Sequence, residues 1–296
     1  IERIKGIKLI RKYRKAFRVN SFLVENKNIK CVIADHWKSL EHIKTSKKKI
    51  CLIHSKEINY DKGSRNNKRL LRVLNQVDQI ISNSEFTKNL AIDKGINPDL
   101  IKVINPGVDP LKQINKEAIE EAKKIINKKS PILITVSRFE KRKNHEKVIM
   151  SIRNLKQIYP NINYLCIGYG DEEKNLKQIV KELNLLEEVK FLKNVNQDLK
   201  NALISLSDVF VMPSIVHKRS VEGFGISFIE AAQHGIPSIG GKDGGAQDAI
   251  INNETGLICD GNKFDDVYES IVSILKDNIH KKLGVKAKEN SKKLRE

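Results

Sequence analysis

Short apolar runs rich in β-branched residues alternate along this chain with longer segments of helical periodicity. In the first third, the apolar runs that predict buried strands are 29–34, 50–53, 79–82 and 101–104. A second series begins at Pro131 and predicts strands at 132–137, 164–167, 189–192, 209–212 and 238–239. Strands that alternate with helices are typical of parallel sheets built from βαβ units, so the pattern predicts an α/β fold.

Between these strands, helical periodicity predicts helices over 144–159, 172–183 and 198–205, and one from Ser84 to about Gly95. Turn-forming residues are concentrated in the segment 105–110, Asn-Pro-Gly-Val-Asp-Pro. We place a domain boundary there, which gives a first domain over 1–110 and a second over 111–296. The second has the order of a complete Rossmann-like layer sandwich, in which ligands bind beyond the carboxyl ends of the strands.

The start of the chain combines apolar and basic residues. Ile4, Ile7, Ile10, Tyr13 and Phe17 recur at helical spacing. The cations between them are Arg3, Lys5, Lys8, Arg11, Lys12, Arg14, Lys15 and Arg18. This pattern predicts a basic amphipathic helix. We prefer a helix that covers a sheet and keeps a solvated outer face, and the alternative is contact with an anionic membrane surface.

Composition narrows the class of protein. A chain of 296 residues with 40% hydrophobic content can bury a sizeable core, and it has no apolar run long enough to span a bilayer. No signal peptide is visible, so cytoplasmic residence is the expectation.

The net charge of +19 would favour nucleic acid as a partner, but only 5% of the residues are aromatic and none is interleaved in the basic runs to stack bases. The widely spaced Cys31, Cys51, Cys166 and Cys259 suit reduced thiols better than disulfides or a zinc site.

Two segments carry candidate chemistry. In 222–237, Glu222 and Glu230 flank a glycine-containing turn that opens a short helix. The backbone amides at its start form a ready site for a phosphate or sugar oxygen, and Gly223 and Gly225 let the backbone approach a ligand closely. In 137–144, several cations follow the first strand of the second domain, as a diphosphate leaving group requires. Basic loops are also common in lysine-rich chains.

Taken together, the ordered motifs of the second domain resemble those of the retaining GT-B glycosyltransferases of glycosyltransferase family 4. The matching segments are Val136-Ser137-Arg138 with Lys143, 167–171, 208–214, 222–225 with Glu230-Ala231, 244–246 and 254–257. The resemblance implies a GT-B fold, with two Rossmann-like domains facing a cleft.

The resemblance also implies a donor site without a metal ion or cofactor. Arg138 and Lys143 would hold the donor diphosphate, and Glu230 would bind the ribose hydroxyls. Glu222 and the backbone of Gly223, Phe224, Gly225 and Ile226 would hold the transferred sugar, with Asn194 and Val195 beside the base. The segment 244–249 is similar to that of members that use GDP-mannose, and no Asp-x-Asp motif is present to bind a cation.

In the first domain, the segment 51–57 resembles the family's strand that ends in a histidine. His54 would then contact the donor sugar and stabilise an oxocarbenium-like transition state, with a purely structural role as the alternative. Near it, His36 and Trp37 follow another strand. We interpret them as a packed structural pair, with a place beside the acceptor as the alternative.

The chain departs from the family pattern at both ends and at one loop position. The family's first strand and glycine-rich loop are absent before Ile1, and the charged tail stops at Glu296, so an incomplete first domain is expected. Asn144 stands where the family commonly has glycine.

These observations predict a retaining, metal-independent glycosyltransferase. It would move a sugar, with mannose favoured, from a nucleotide-diphosphate donor to a saccharide or lipid-linked acceptor. The product would belong to polysaccharide, lipopolysaccharide or glycolipid synthesis. The protein would act in the cytoplasm, or peripherally at the inner face of the membrane. The alternatives are a GT-B nucleotide-sugar 2-epimerase and a non-catalytic fragment that binds nucleotide sugars or nucleic acid.

Overall fold

The computed structural model describes residues 8–127 and 129–293. The chain forms two compact units, which divide between Asn105 and Pro106. This division lies inside the turn-rich segment 105–110. Each unit contains one parallel sheet, in agreement with the predicted α/β class.

Unit 1 has four strands in the order β1-β2-β3-β4, all parallel. The strands are β1 Cys31–Ala34, β2 Lys48–Ile53, β3 Gln79–Ser82 and β4 Ile101–Val103. Its α-helices are α1 Lys8–Glu25, α2 Arg65–Leu74 and α3 Glu85–Asp93. Ser64 and Ser84 cap α2 and α3, since each hydroxyl accepts a backbone amide from the first turn.

Unit 2 has six parallel strands in the order β10-β9-β8-β5-β6-β7. They are β5 Ile132–Val136, β6 Asn163–Ile167, β7 Val189–Leu192, β8 Val209–Met212, β9 Ser238–Gly241 and β10 Gly256–Cys259. The α-helices are α4 Lys116–Ile126, α5 His145–Ile158, α6 Glu173–Glu182, α7 Gln197–Ser205, α8 Ile226–Gln233, α9 Ala246–Ala249, α10 Phe264–Leu275 and α11 Ile279–Lys293.

The nine predicted strands are all present, with ends that shift by one or two residues. The sequence did not predict β10, because its four residues follow a turn and give too short an apolar run to distinguish. Within the described part of the chain, no helix is both long and apolar enough to cross a membrane.

The sheet of unit 2 is buried on both faces. One face packs against a cluster that includes Ile149, Leu176 and Ile271, from α5, α6 and α10. The other packs against Leu203 and Phe228, from α7 and α8. Burial on both sides explains why these strands are mostly apolar and why all of them except β10 could be recognised from sequence.

The cysteines behave as predicted in that all four thiols are free. Cys51, Cys166 and Cys259 are buried, whereas Cys31 is only partly buried. Burial raises the pKa of Cys51 and of Cys259 to about 12, so these thiols stay protonated and unreactive.

Helix α1 is amphipathic, but the predicted buried face is wrong. Ile10, Tyr13 and Phe17 are exposed, and Ala16 and Leu23 enter the core of unit 1 instead. The periodicity identified the helix correctly, but it could not show which stripe meets the sheet. Ile4 and Ile7 lie outside the described residues.

Asn144 links the loops after β5, β8 and β10 by hydrogen bonds at the carboxyl edge of the sheet of unit 2. Its backbone adopts the left-handed conformation, with φ at 60°, directly before α5. Its side-chain amide donates to the carbonyls of Pro213, at 3.0 Å, and Gly261, at 2.7 Å. Asn144 occupies the N-cap position of α5, but its side chain makes no cap hydrogen bond. Asparagine tolerates the left-handed region that glycine would adopt, and it adds two buried hydrogen bonds.

Replacing Asn144 separates these two effects. Asn144→Gly keeps the backbone conformation but leaves two buried carbonyls unpaired, so we expect a loss of about 1–3 kcal/mol in the free energy of unfolding. Asn144→Ala should lose about 1–2 kcal/mol more, because alanine resists positive φ. Urea unfolding of both variants measures the two steps. Equal stability of Asn144→Gly and the parent chain would contradict the bonding role.

Candidate functional site

The turn before α8 has the geometry that the sequence predicted. Gly225 adopts φ at 89°, and a Cβ built on it would lie 2.4 Å from Cδ2 of Phe228. Only glycine therefore fits at this position. Helix α8 begins at Ile226, and the first amides of a helix have no intrahelical acceptor. The turn thus presents donors where a phosphate or sugar oxygen could bind.

Glu222 is held immediately before this turn by two cations. The residue is 7% exposed. Arg142 Nη1 donates to Oε2 at 2.8 Å, and Lys143 Nζ donates to the same oxygen. Burial alone would raise the pKa of Glu222, but the charges of Lys143 and Arg142 outweigh it and lower this pKa. Glu222 is therefore ionised at neutral pH.

One oxygen of this carboxylate, Oε2, holds both cations. Both cations contact Oε2, whereas Oε1 accepts no hydrogen bond from any residue within 8–127 or 129–293. A carboxylate oxygen held in place in this way can accept a hydroxyl hydrogen bond from a ligand without further ordering of the side chain.

Lys143 shares its buried position with Arg142. Burial lowers the pKa of Lys143, the nearby guanidinium lowers it further, and Glu222 acts in the opposite direction. Two cations thus share one buried carboxylate. With Lys143 protonated, Arg142, Lys143 and Glu222 together carry a net positive charge, which suits a site for an anionic group.

Arg138 lies at the outer end of a chain of ion pairs rather than beside Lys143. Its side chain is 63% exposed, and its guanidinium bonds Glu140 at 2.6 Å. Glu140 in turn accepts from Nε of Arg142 at 3.2 Å, and Arg142 bonds Glu222. We call Arg138, Glu140, Arg142, Glu222 and Lys143 the ion chain. Sequence reasoning missed Glu140 and Arg142, and their only signal was their place in the basic loop 137–144.

The backbone around Glu222 is fixed by the segment that follows β9. Gly245 N donates to Glu222 O at 2.9 Å, and Gly244 forms a parallel bridge with Glu222. A Cβ on Gly245 would lie 2.0 Å from the carbonyl oxygen of Gly223. The motif at 244–246 is therefore explained by close backbone packing against 222–223.

Glu230 projects from the second turn of α8 and bonds Lys200 of α7 at 2.7 Å. Beside it lies a cavity of about 320 Å³, whose walls are the segment 107–112, the first half of α7 and one face of α8. Ile226 and Glu230 both line this cavity. Its volume is at the lower end of the range for small-molecule pockets.

His234 lines the same cavity. Burial lowers the pKa of His234 to about 4, with Lys288 and Lys200 acting in the same direction. Its imidazole is neutral at pH 7 and adds no charge to the cavity.

Asn194 and Val195 lie in the short loop between β7 and α7. Asn194 adopts a left-handed backbone with φ at 51°. Val195 packs partly buried against the same core cluster as α8. The loop then enters α7 through Asn196, whose side chain caps the helix.

His54 follows β2 in unit 1, and its Nε2 lies 2.8 Å from Oδ1 of Asp35. Strands β1 and β2 are paired, with Ala34 opposite Cys51, so both side chains emerge at the same edge of the sheet. The carboxylate orients the imidazole, which is half-exposed and accessible to a ligand. Asp35 was not recognised from sequence.

His36 and Trp37 have structural roles, as the preferred interpretation held. Trp37 is fully buried and donates its indole N–H to the carbonyl of Glu57 at 2.8 Å. Nδ1 of His36 accepts the backbone amide of Lys38 and caps a short 3₁₀ turn.

Two family profiles match this chain. "Glycosyl transferases group 1" matches residues 116–294, and "Glycosyltransferase Family 4" matches residues 4–112. The first covers most of unit 2, including every residue of the ion chain, and the second covers unit 1.

Curated relatives resemble part of the chain. A GDP-mannose-dependent alpha-(1-6)-phosphatidylinositol monomannoside mannosyltransferase of Mycolicibacterium smegmatis is 28% identical over 50% of this chain and 39% of the relative. A trehalose synthase of Pyrococcus horikoshii is 32% identical over 64% of this chain and 48% of the relative. The chain therefore spans about half the length, or less, of these relatives.

Solved structures share the fold. HepE of Anabaena in complex with UDP superposes with a TM-score of 0.80 at 18% identity, over 94% of this chain and 78% of that one. A glycosyltransferase of Rickettsia africae gives a TM-score of 0.79 at 21% identity, over 99% and 79%. This likeness confirms the predicted GT-B class.

Removing Glu222 should destabilise unit 2 before any effect on chemistry is considered. Glu222→Ala leaves Arg142 and Lys143 buried without a counter-charge, and we expect a loss of about 3–5 kcal/mol in the free energy of unfolding. Adding Lys143→Met should restore part of this loss, since one unpaired cation is gone.

The coupling between Glu222 and Lys143 is measured by chemical unfolding. The proteins compared are the parent, Glu222→Ala, Lys143→Met and the double variant. Glu187→Ala, at an exposed glutamate, is the matched control and should be neutral. Additive losses in the double variant would contradict the shared ion pair.

Proposed function

Because this chain belongs to the glycosyl transferases group 1 family, we propose that it transfers a sugar from a nucleotide-diphosphate donor to an acceptor hydroxyl. The reaction retains the anomeric configuration and needs no metal ion. The observation that carries the proposal is the buried carboxylate of Glu222, which is fixed by two cations beside the amino end of α8 and keeps Oε1 for a ligand.

The donor diphosphate is assigned to Arg138 and Lys143 and to the amides at the start of α8. Negative charge develops on the leaving diphosphate in glycosyl transfer, so preorganised donors lower the barrier. Arg138 has the freedom to move onto a phosphate because it is exposed, whereas Lys143 is fixed. In this proposal Arg142 holds Glu222 and makes no contact with the donor.

The transferred sugar is assigned to Glu222, with the backbone from Gly223 to Ile226. Oε1 would accept from a sugar hydroxyl, and the charge of the carboxylate would favour an oxocarbenium-like transition state. His54, oriented by Asp35, would act on the same sugar. Glu222 and His54 would position the sugar and stabilise its charge. The charge on the diphosphate would be met by Arg138, Lys143 and the amides of α8, so the proposal requires no divalent cation.

The nucleoside is assigned to Glu230 and the cavity beside it. A carboxylate can accept from both ribose hydroxyls, and Lys200 fixes its position. Asn194 and Val195 are assigned to the base.

GDP-mannose is the donor we favour. The support comes from the segment 244–249 and from several relatives that are GDP-mannose-dependent mannosyltransferases. For the acceptor we propose a saccharide or lipid-linked molecule, as used in polysaccharide, lipopolysaccharide or glycolipid synthesis.

Peripheral contact with an anionic membrane is part of this proposal. Helix α1 exposes Tyr13, Phe17 and Phe22 among basic residues, and this combination favours binding at a lipid headgroup surface. We propose a cytoplasmic protein that reaches its acceptor at the inner face of the membrane.

A transfer assay tests the proposal. The protein is incubated with radiolabelled GDP-mannose, UDP-glucose or UDP-N-acetylglucosamine, and membrane extract serves as the acceptor source. We expect transfer from one donor, unchanged by EDTA, into a product whose anomeric configuration matches the donor by NMR. An epimerised donor sugar, or nucleotide binding without transfer, would favour the alternatives. Glu222→Gln should lower kcat by at least tenfold. Glu187→Gln serves as the control and should leave kcat unchanged.

The ribose role of Glu230 has its own test. Glu230→Ala should weaken UDP or GDP binding by about tenfold, which corresponds to about 1.4 kcal/mol. The same variant should bind the 2′,3′-dideoxy nucleotide as the parent does, because the lost contact is to the ribose hydroxyls. Calorimetric titration of both proteins with both nucleotides completes the cycle. An equal loss with the dideoxy nucleotide would contradict the assignment.

A further inference from the structure

Unit 1 contains a second concentration of positive charge, remote in sequence from the ion chain. A pocket of about 500 Å³ lies between the first half of α1, the connection from β1 to β2, and α2. We call it the basic pocket. Its cations are Lys12, Arg65, Lys68, Arg69 and Arg72.

Among residues 8–127 and 129–293, the one carboxylate that lines the basic pocket is already neutralised. Both oxygens of Glu41 accept from Arg69, from Nε and Nη2, each at 2.7 Å. This bidentate bond lowers the pKa of Glu41 against the effect of burial, so the carboxylate remains charged and paired. Glu41 and Arg69 thus cancel, and the remaining pocket charge is positive.

The other cations of α2 lack such partners. Within residues 8–127 and 129–293, no carboxylate forms an ion pair with Arg65, Lys68 or Arg72. These residues and Arg69 fall within about 100° of the helix circumference, so their side chains share one stripe. Helix α2 has no acidic residue in its first turn.

This arrangement is unfavourable for the helix itself. Like charges at spacings of three and four residues repel, and Arg65 places a cation at the positive end of the helix dipole. A lysine-rich surface would scatter such charges, whereas here they converge on a concave site. An anion in the pocket would relieve the repulsion and interact favourably with the amino end of α2.

One wall of the basic pocket is aromatic. The rings of Tyr13 and His42 lie 4.7 Å apart, and Lys12 Nζ lies 4.7 Å from the centroid of the Tyr13 ring. Lys12 of α1 lines the pocket together with the cations of α2. The site is therefore formed by two helices and a loop.

We propose that the basic pocket binds a phosphate group, as an anchoring site separate from the donor site of unit 2. Arginine and lysine together suit phosphate, because the guanidinium fork bonds two oxygens and the ammonium adds a point charge. The phosphate could be carried by a soluble phosphate ester or by a phospholipid headgroup. The chemistry of the site is the same for both sources.

The test uses the full chain with saturating UDP or GDP, so that donor-site binding is measured first and separately. Lys68→Gln with Arg72→Gln removes two pocket charges and keeps helix-forming residues. Lys282→Gln with Lys286→Gln removes two exposed charges at the same spacing on α11 and is the matched control. Inorganic phosphate is then titrated by calorimetry, and vesicles of phosphatidylcholine with and without phosphatidylglycerol are co-sedimented.

We expect the pocket variant to bind phosphate at least tenfold more weakly than the control variant, with nucleotide binding unchanged in both. A parallel loss of binding to the phosphatidylglycerol vesicles identifies a lipid headgroup as the source, and a loss for inorganic phosphate alone identifies a soluble ester. Equal binding by the two variants, or no binding of phosphate and vesicles by the parent chain, overturns the proposal. A failure to bind UDP or GDP would count against the donor site only.

Discussion

The carboxylate of Glu222, buried between Arg142 and Lys143, is the interaction on which the carboxyl edge of the sheet of unit 2 depends. A buried charge is tolerated only when it is paired, and here one oxygen satisfies two cations. The same bonds join the loop after β5 to the turn before α8. A single interaction thus fixes two loops and leaves Oε1 for a ligand. Structural and functional demands therefore coincide at Glu222.

Close backbone packing supports this pair from the other side. Gly245 approaches the carbonyl of Gly223, and Gly225 turns the chain into α8 in a conformation where a side chain would collide with Phe228. Asn144 adds hydrogen bonds to the loops after β8 and β10. The edge is rigid because several loops each satisfy the backbone groups of another, which is how a parallel sheet holds a precise site on irregular segments.

Positive charge is used differently in the two units. In unit 2, the cations of the ion chain alternate with carboxylates, and the resulting network is compact and partly buried. In unit 1, Arg65, Lys68 and Arg72 line a pocket without carboxylate partners among the described residues. Net charge alone suggested an anionic partner, but only the distribution of ion pairs distinguishes a structural network from a surface that attracts a ligand.

The sequence by itself determined the α/β class, the strand order along the chain and the glycine turn, and it singled out Glu222, Glu230, Lys143 and His54 as candidate site residues. These features depend on local periodicity, on backbone geometry and on motifs of fixed spacing, all of which are written in consecutive residues. It did not determine the buried stripe of α1 or strand β10. The periodicity of an isolated helix does not show which side meets the sheet, and a four-residue run gives too little pattern.

Only the tertiary structure decided the partners of the charged residues. Arg142 reaches Glu222, Arg138 pairs with Glu140, and Asp35 orients His54. The sequence of a basic loop does not distinguish one cation from another. Which cation becomes buried depends on how the loop crosses the ends of strands that are distant in sequence. The fold determines which of these similar cations is buried. Burying a charge is unfavourable unless a carboxylate from another strand end lies within hydrogen-bond distance.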